Sequence, residues 1–169
     1  RGLGDVYKRQ STDHTAVDRL DLHRYMGTWY EIARFDHRFE RGLSEVTATY
    51  TLMPDGTVRV ENRGCKHKKP YDVCKTAEGR AKIPDPSQPG KLKVSFFLSF
   101  YSDYYVLELD QDEYNYALIG SSSDKYLWIL SRAPILPEEI KKKLLDAATR
   151  RGYDVKKLIW VEQREKKIM

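Results

Sequence analysis

The side chains that most often do chemistry are few and scattered in this sequence. Its four histidines stand at positions 14, 23, 37 and 67. None has the short spacing of a metal-ligand pair, and none falls in a recognisable motif with a serine or cysteine nucleophile. Metal-dependent and nucleophilic catalysis therefore find no support, no cofactor is called for, and His37, set in a charged stretch, reads as solvated. The two cysteines, Cys65 and Cys74, bracket the polar segment Lys66-His67-Lys68-Lys69-Pro70-Tyr71-Asp72-Val73. Such a loop must reverse the chain, and strands paired up to it bring the two Cα atoms within the roughly 4.4–6.8 Å that a disulfide spans. A Cys65–Cys74 disulfide is the expectation. Two unpaired thiols are the alternative, because a register error of one residue would separate them. A zinc site lacks ligands, since His67 alone cannot complete one.

The whole chain narrows the classes further. At 169 residues, with 40% hydrophobic and 33% charged residues, it has the composition of one folded domain that can bury its own core. The net charge of +5 is spread out. Its densest groups, at 141–143, 150–151 and 156–157, interrupt the pattern of a surface helix and strand, so no nucleic-acid footprint is expected. The longest apolar runs are strand-sized, well short of the ~20 residues that a membrane-spanning helix needs. Residues 1–10 (RGLGDVYKRQ) lack the apolar centre of an export signal and read as a translated adaptor remnant. The expected division is an artefactual or disordered extension over 1–16, a domain over 17–163 and a tail over 164–169.

The elements that must position these groups are strands. Between residues 27 and 132 short runs rich in Tyr, Val, Phe, Leu and Thr alternate with turn signals, the pattern of an all-β sandwich or barrel. The runs predict strands at about 28–35, 45–52, 57–64, 75–83, 91–97, 104–109, 114–121 and 126–132. Pro54-Asp55-Gly56 supplies a turn, because proline fixes φ and glycine accepts a positive one. Val46, Ala48 and Tyr50 point to one side of their strand and Thr47, Thr49 and Thr51 to the other. Leu92, Val94 and Phe96 likewise oppose Lys91, Lys93 and Ser95. Consecutive hairpins of this kind can remove their edges by closing up-and-down. Pro137-Glu138-Glu139 then opens a helix whose Ile140, Leu144, Leu145 and Ala148 form one apolar stripe, stopped at Gly152. A short ninth strand is expected at 158–161.

Two separated motifs carry a family resemblance. Gly27-Thr28-Trp29-Tyr30, continued by Glu31-Ile32-Ala33-Arg34-Phe35, resembles the first signature of the lipocalins. Ser131-Arg132-Ala133-Pro134 resembles their third. The runs 34–42 (RFDHRFERG), 93–97 (KVSFF) and 126–132 (YLWILSR) are similar to the bacterial outer-membrane lipoprotein lipocalins, relatives of apolipoprotein D. The second motif departs, with Leu109-Asp110-Gln111 where the family usually has Thr-Asp-Tyr, but its acid is kept. The resemblance implies an eight-stranded up-and-down antiparallel β-barrel with one C-terminal α-helix packed outside. In such a barrel the first strand lies antiparallel to the eighth, so Trp29 and Arg132 should meet at the closed end as a cation–π pair.

An eight-stranded barrel can be filled or can hold one small ligand. Small inward residues such as Ala77, Gly79 and Ala81 predict space. The expected ligand wall is Val46, Ala48, Tyr50, Val60, Val94, Phe96, Tyr104, Val106, Tyr126 and Trp128. Residues 36–44 read as a lid at the open end. Phe35 and Phe39 would cover the mouth, and Arg38 and Arg41 would receive an anionic head group. The resemblance implies a fatty acid or lysophospholipid as ligand and a periplasmic, outer-membrane-anchored location. It implies a monomer or homodimer. A lipid-modifying enzyme and a ligand-free envelope protein are the alternatives.

Overall fold

The computed structural model of the protein describes residues 11–68, 70–97 and 100–164. The adaptor-like stretch 1–10 and residues 165–169 of the expected tail lie outside them. In chain order the elements are α1 (Leu22–Tyr25), β1 (Gly27–Phe35), β2 (Ser44–Leu52), β3 (Val58–Lys68), β4 (Tyr71–Lys82) and β5 (Lys91–Phe97). They continue as β6 (Phe100–Leu109), β7 (Tyr116–Gly120), β8 (Trp128–Ser131), α2 (Glu138–Arg150) and β9 (Leu158–Trp160). Strands β2 to β8 pair in sequence, β8 pairs with β1, and β1 returns to β2. The eight-stranded antiparallel barrel expected from the hairpin pattern is thus closed, and β9 lies beyond it on β1.

Two apolar layers follow from the period-2 alternation. Val60, Leu92, Val106, Ile119 and Leu130 gather inside the barrel. Leu107, Leu118 and Ile129 face outward and meet Leu144 and Ala148 of α2, together with Leu136 and Tyr153. Each large side chain so buried contributes about 1.5–3 kcal/mol, which is what fixes α2 to the outer wall. Glu138 and Glu139 begin that helix where its dipole favours acids.

Strand β1 breaks the alternation once. Its register against β8 shifts between Glu31 and Ala33. Ile32 and Ala33 consequently both join the outer layer, while Glu31 pairs with inward Leu130 and Arg34 with inward Trp128. A bulge of this kind re-aims side chains without ending the strand. Pairing of β1 with β2 stops at Tyr30↔Thr47, and β9 takes over the edge at Ala33–Phe35. The next residues stitch the gap: the Gln163 side-chain amide donates to Glu31 O and Val46 O, both at 2.8 Å, and Glu45 N donates to Glu162 O at 2.7 Å.

Several boundaries differ from expectation. Lys66, His67, Lys68, Tyr71, Asp72 and Val73 were expected in a loop, but β3 and β4 run through them in unbroken register. Both faces of this part of the ladder are exposed, so apolar alternation does not mark it. Tyr114 lies in a turn, at φ 55°, instead of in β7, and its hydroxyl accepts from Asp21 N. Helix α1 had no periodic signal, being one turn capped by the Asp21 carboxylate. Residues 11–16, set with the terminal extension on sequence grounds, make specific contacts: Asp13 N donates to Arg151 O, and Arg151 donates to Asp13 O and Thr15 O.

Cys65 and Cys74 are bonded across this ladder, with Cα atoms 4.0 Å apart in directly opposed positions. Reverting both to serine should lower stability by about 2–3 kcal/mol in the chain-entropy picture of a short closed loop. A fall in urea midpoint, matched by dithiothreitol treatment of the native protein, is the expected readout.

Candidate functional site

The floor of the barrel is built on Trp29, which is fully buried. Its indole N–H donates to Tyr25 O at 2.8 Å, and the Arg132 guanidinium stacks 3.9 Å above its ring. Arg132 also donates to the carbonyls of Arg24, Thr28 and Tyr114 at 2.7, 3.1 and 3.2 Å. The first of these belongs to α1 and the last to the β6–β7 turn, so one side chain ties together three elements that are remote in sequence. Gly27, at φ +98°, leaves room beside that guanidinium, 3.3 Å from where a Cβ would stand.

Above the floor three tyrosines form a chain. The hydroxyls of Tyr25 and Tyr104 are 2.6 Å apart, and those of Tyr104 and Tyr50 are 2.9 Å apart. Burial raises all three pKa values above the ordinary phenol value, so they stay protonated. Three O–H groups make two links among themselves, which leaves one proton and several lone pairs to offer a polar atom inside the barrel.

Higher on the wall is a buried ionic cluster. Arg34, 1% exposed, donates to Glu31 Oε2 at 3.0 Å and to the carbonyls of Glu40 and Leu43 at 2.7 and 3.3 Å. Glu40 Oε1 accepts from the Trp128 indole at 2.9 Å and from His37 Nε2 at 2.8 Å. Burial, reinforced by the neighbouring Glu40 carboxylate, raises Glu31 well above the ordinary 4.5. Glu40 is also buried, but hydrogen bonds from His37, Glu31 and Trp128 outweigh that and hold it down to about 2. The pair therefore shares one proton, carried by Glu31.

This arrangement has a definite pH signature. Folded Glu31 keeps a proton that the unfolded chain releases above about 4.5, so stability falls as pH rises from there through its raised pKa. Glu40 acts oppositely, its contribution being lost as pH falls from about 4.5 toward 2. The variant Glu31→Gln imitates the protonated carboxyl and should remove the alkaline loss. Urea midpoints across pH 5 to 9 are expected to converge at the acid end and to favour the variant progressively at the alkaline end. Parallel curves would remove Glu31 as the proton carrier.

The expected wall residues distribute as follows. Tyr50, Val60 and Val106 belong to the inner cluster, with Ala48, Val94, Phe96, Tyr104 and Trp128 packed against it. Val46 is buried, and Tyr126 stacks on Trp128 at 5.7 Å. Space above Gly79 is not free, because the Phe96 ring would lie 2.7 Å from a Cβ there. Ala77, on the same face, is exposed. Among the residues assigned to the lid, Phe35 does not cover the mouth: it is buried in the outer layer near Tyr153, turned away by the β1 bulge. Phe39 is 64% exposed with Arg38 stacked on it at 4.9 Å, and Arg41 faces Asp36 at 3.6 Å. His37 is not solvated; it packs edge-on against Tyr126 and Trp128.

A family model described as a lipocalin-like domain matches residues 20–163. The chain belongs to the lipocalins. It is 50% identical over 149 residues to the outer membrane lipoprotein Blc of Escherichia coli K12, covering 88% of this chain and 82% of that protein. Apolipoprotein D of Mus musculus is 34% identical over 154 residues, with 86% and 78% covered. Insecticyanin from the tobacco hornworm shares the fold, at TM-score 0.73 and 23% identity over 94% of this chain and 89% of that one. Lipocalins of this kind are in general carriers of small hydrophobic molecules and not enzymes. In this lipocalin the second motif keeps its acid for a visible reason. Asp110 accepts from the backbone of Asp112, Glu113 and Asn115 and so shapes the β6–β7 turn that presents Tyr114 O to Arg132.

Sequence reasoning missed Glu31, Arg34, Glu40 and Tyr25. Strict alternation puts Arg34 on the outer face, and only the bulge brings it in. The available signal was the density of charge directly after the first motif.

Proposed function

We propose that the protein binds one fatty acid or lysophospholipid in the barrel and catalyses no reaction on it, serving lipid handling in the cell envelope. The observation that carries this reading is the combination of an apolar inner wall with the tyrosine chain, whose spare O–H suits an oxygen-bearing lipid and not a pure hydrocarbon. Each methylene buried adds about 0.8 kcal/mol, so a long acyl chain can reach micromolar affinity or better. Both cysteines are held in the disulfide, so neither offers a thiol nucleophile. The disulfide and the outer membrane lipoprotein names of close relatives support an exported, periplasm-facing location.

Native mass spectrometry of the purified protein should reveal a bound single-chain lipid, and oleate or lysophosphatidylcholine should displace an apolar fluorescent probe. Recovery of no lipid together with no displacement would overturn the proposal, and turnover of either lipid would make the protein an enzyme. Because Ala77 faces the barrel interior and is exposed, Ala77→Trp should fill space without displacing packed atoms. Probe affinity is expected to fall by at least about tenfold, equivalent to 1.4 kcal/mol, at an unchanged urea midpoint.

A further inference from the structure

We propose that the open rim of the barrel is a docking surface for an anionic lipid bilayer. Two independent segments meet the solvent at that end, the β1–β2 loop and the tip of the β3–β4 hairpin. Each carries one strongly exposed aromatic: Phe39 is 64% exposed and Tyr71 72%. Register places Tyr71 opposite Lys68 and Val73 opposite Lys66, on the hairpin face that continues the inner wall through Gly79 and Val60. That face therefore carries an aromatic, a valine that is itself 37% exposed, and three lysines, Lys66, Lys68 and Lys75. In the loop, Arg38 lies 4.9 Å over the Phe39 ring.

The charge balance selects the occupant. Acids at this end already have partners: Asp36 faces Arg41 at 3.6 Å, Asp72 faces Arg164 at 3.1 Å and hydrogen-bonds His67 at 2.8 Å, and Asp124 hydrogen-bonds His14 at 2.7 Å. Among the described residues no carboxylate pairs with Arg38, Lys66 or Lys68. Aromatic rings flanked by unpaired cations suit a bilayer interface, where rings sit at head-group level and each cation near an anionic surface contributes about fivefold in affinity. The hairpin is also preformed. Its far face is held by the Cys65–Cys74 bond and by Ser44 Oγ to His67 Nε2 at 2.7 Å, so docking orders little new chain.

Flotation of the full chain with vesicles tests this. Binding is expected to phosphatidylethanolamine–phosphatidylglycerol vesicles, at least about tenfold tighter than to phosphatidylcholine vesicles. It should be largely lost at about 1 M salt, where screening acts within about 3 Å. Lys66→Glu with Lys68→Glu should abolish the preference for the anionic vesicles. Phe39→Ser with Tyr71→Ser should weaken binding at least about tenfold. Trp160→Ser removes an exposed aromatic that also lies near a lysine, Lys141 at 5.2 Å, but on the outer wall, and should leave binding intact. Unchanged urea midpoints establish that each variant is folded. Equal binding to both vesicle types, insensitivity to the rim variants, or loss of binding in the Trp160 variant would overturn the proposal. So would a dimer that dissociates on rim substitution, which would make a second copy the occupant. Probe displacement in vesicle-free buffer reports the interior independently and should survive the lysine substitutions.

Discussion

Trp29→Ala is expected to destabilise the protein by about 3–5 kcal/mol, the range for deleting a fully buried aromatic. The indole is inaccessible to solvent, so its removal leaves a cavity among side chains held from several directions. It also leaves Tyr25 O without its donor, and it removes the ring on which Arg132 stacks, a contact that contributes about 0.5–2 kcal/mol. Arg132 keeps its three carbonyls, so the floor should loosen and not come apart. Denaturant unfolding checks the magnitude. A loss below about 1 kcal/mol would mean that neighbouring rings collapse into the space and that the floor is more plastic than its packing implies.

The second large effect is expected at Arg34. Breaking a buried ion pair by removing one partner costs about 3–5 kcal/mol, because the other charge remains buried. Arg34→Met removes the cation 3.8 Å from the ionised Glu40 carboxylate, together with the donor to Glu31 Oε2, Glu40 O and Leu43 O. Two consequences should separate. Global stability falls in urea, and the loop over residues 36–43 becomes accessible to proteolysis well below the unfolding midpoint. Arg34→Lys should rescue little, since an ammonium cannot reproduce the planar fork that reaches a carboxylate and two carbonyls together. Adding Glu40→Gln to Arg34→Met should recover part of the loss, because no ionised carboxylate is then left buried without its cation. Full rescue by lysine would show that charge alone, and not geometry, holds the loop.

The barrel was legible because its inner face repeats with period 2 over strands long enough to count, and because the two motif-bearing segments, around Trp29 and Arg132, must adjoin in any closed eight-strand order. The disulfide was legible from the need to reverse the chain between the cysteines. The ionic cluster was not. A single bulge after Glu31 inverts the facing of all that follows in β1, and it does so to Arg34 and Phe35 in opposite senses, one becoming interior and the other leaving the mouth for the outer core. Nothing in the residue types around Ile32 announces an extra position. The length of the β3–β4 hairpin was hidden for a different reason. Its lysines, proline and aspartate carry the composition of a loop, whereas the ladder there is held by main-chain bonds and a disulfide.

The strand seam sets a condition on how the molecule is made. The upper halves of β1 and β2 do not pair with each other, and the gap between them is occupied by β9 and by Gln163, which bonds to Glu31 O and Val46 O. A chain emerging from its N-terminus can form the hairpins of β1 through β8 locally, but the other edge of β1 must wait for β8, and the upper wall must wait for residue 163. Contacts this distant in sequence make folding slow and late. During synthesis the upper wall therefore stays open along one side until residue 163 is free, so the interior cannot be sealed before then.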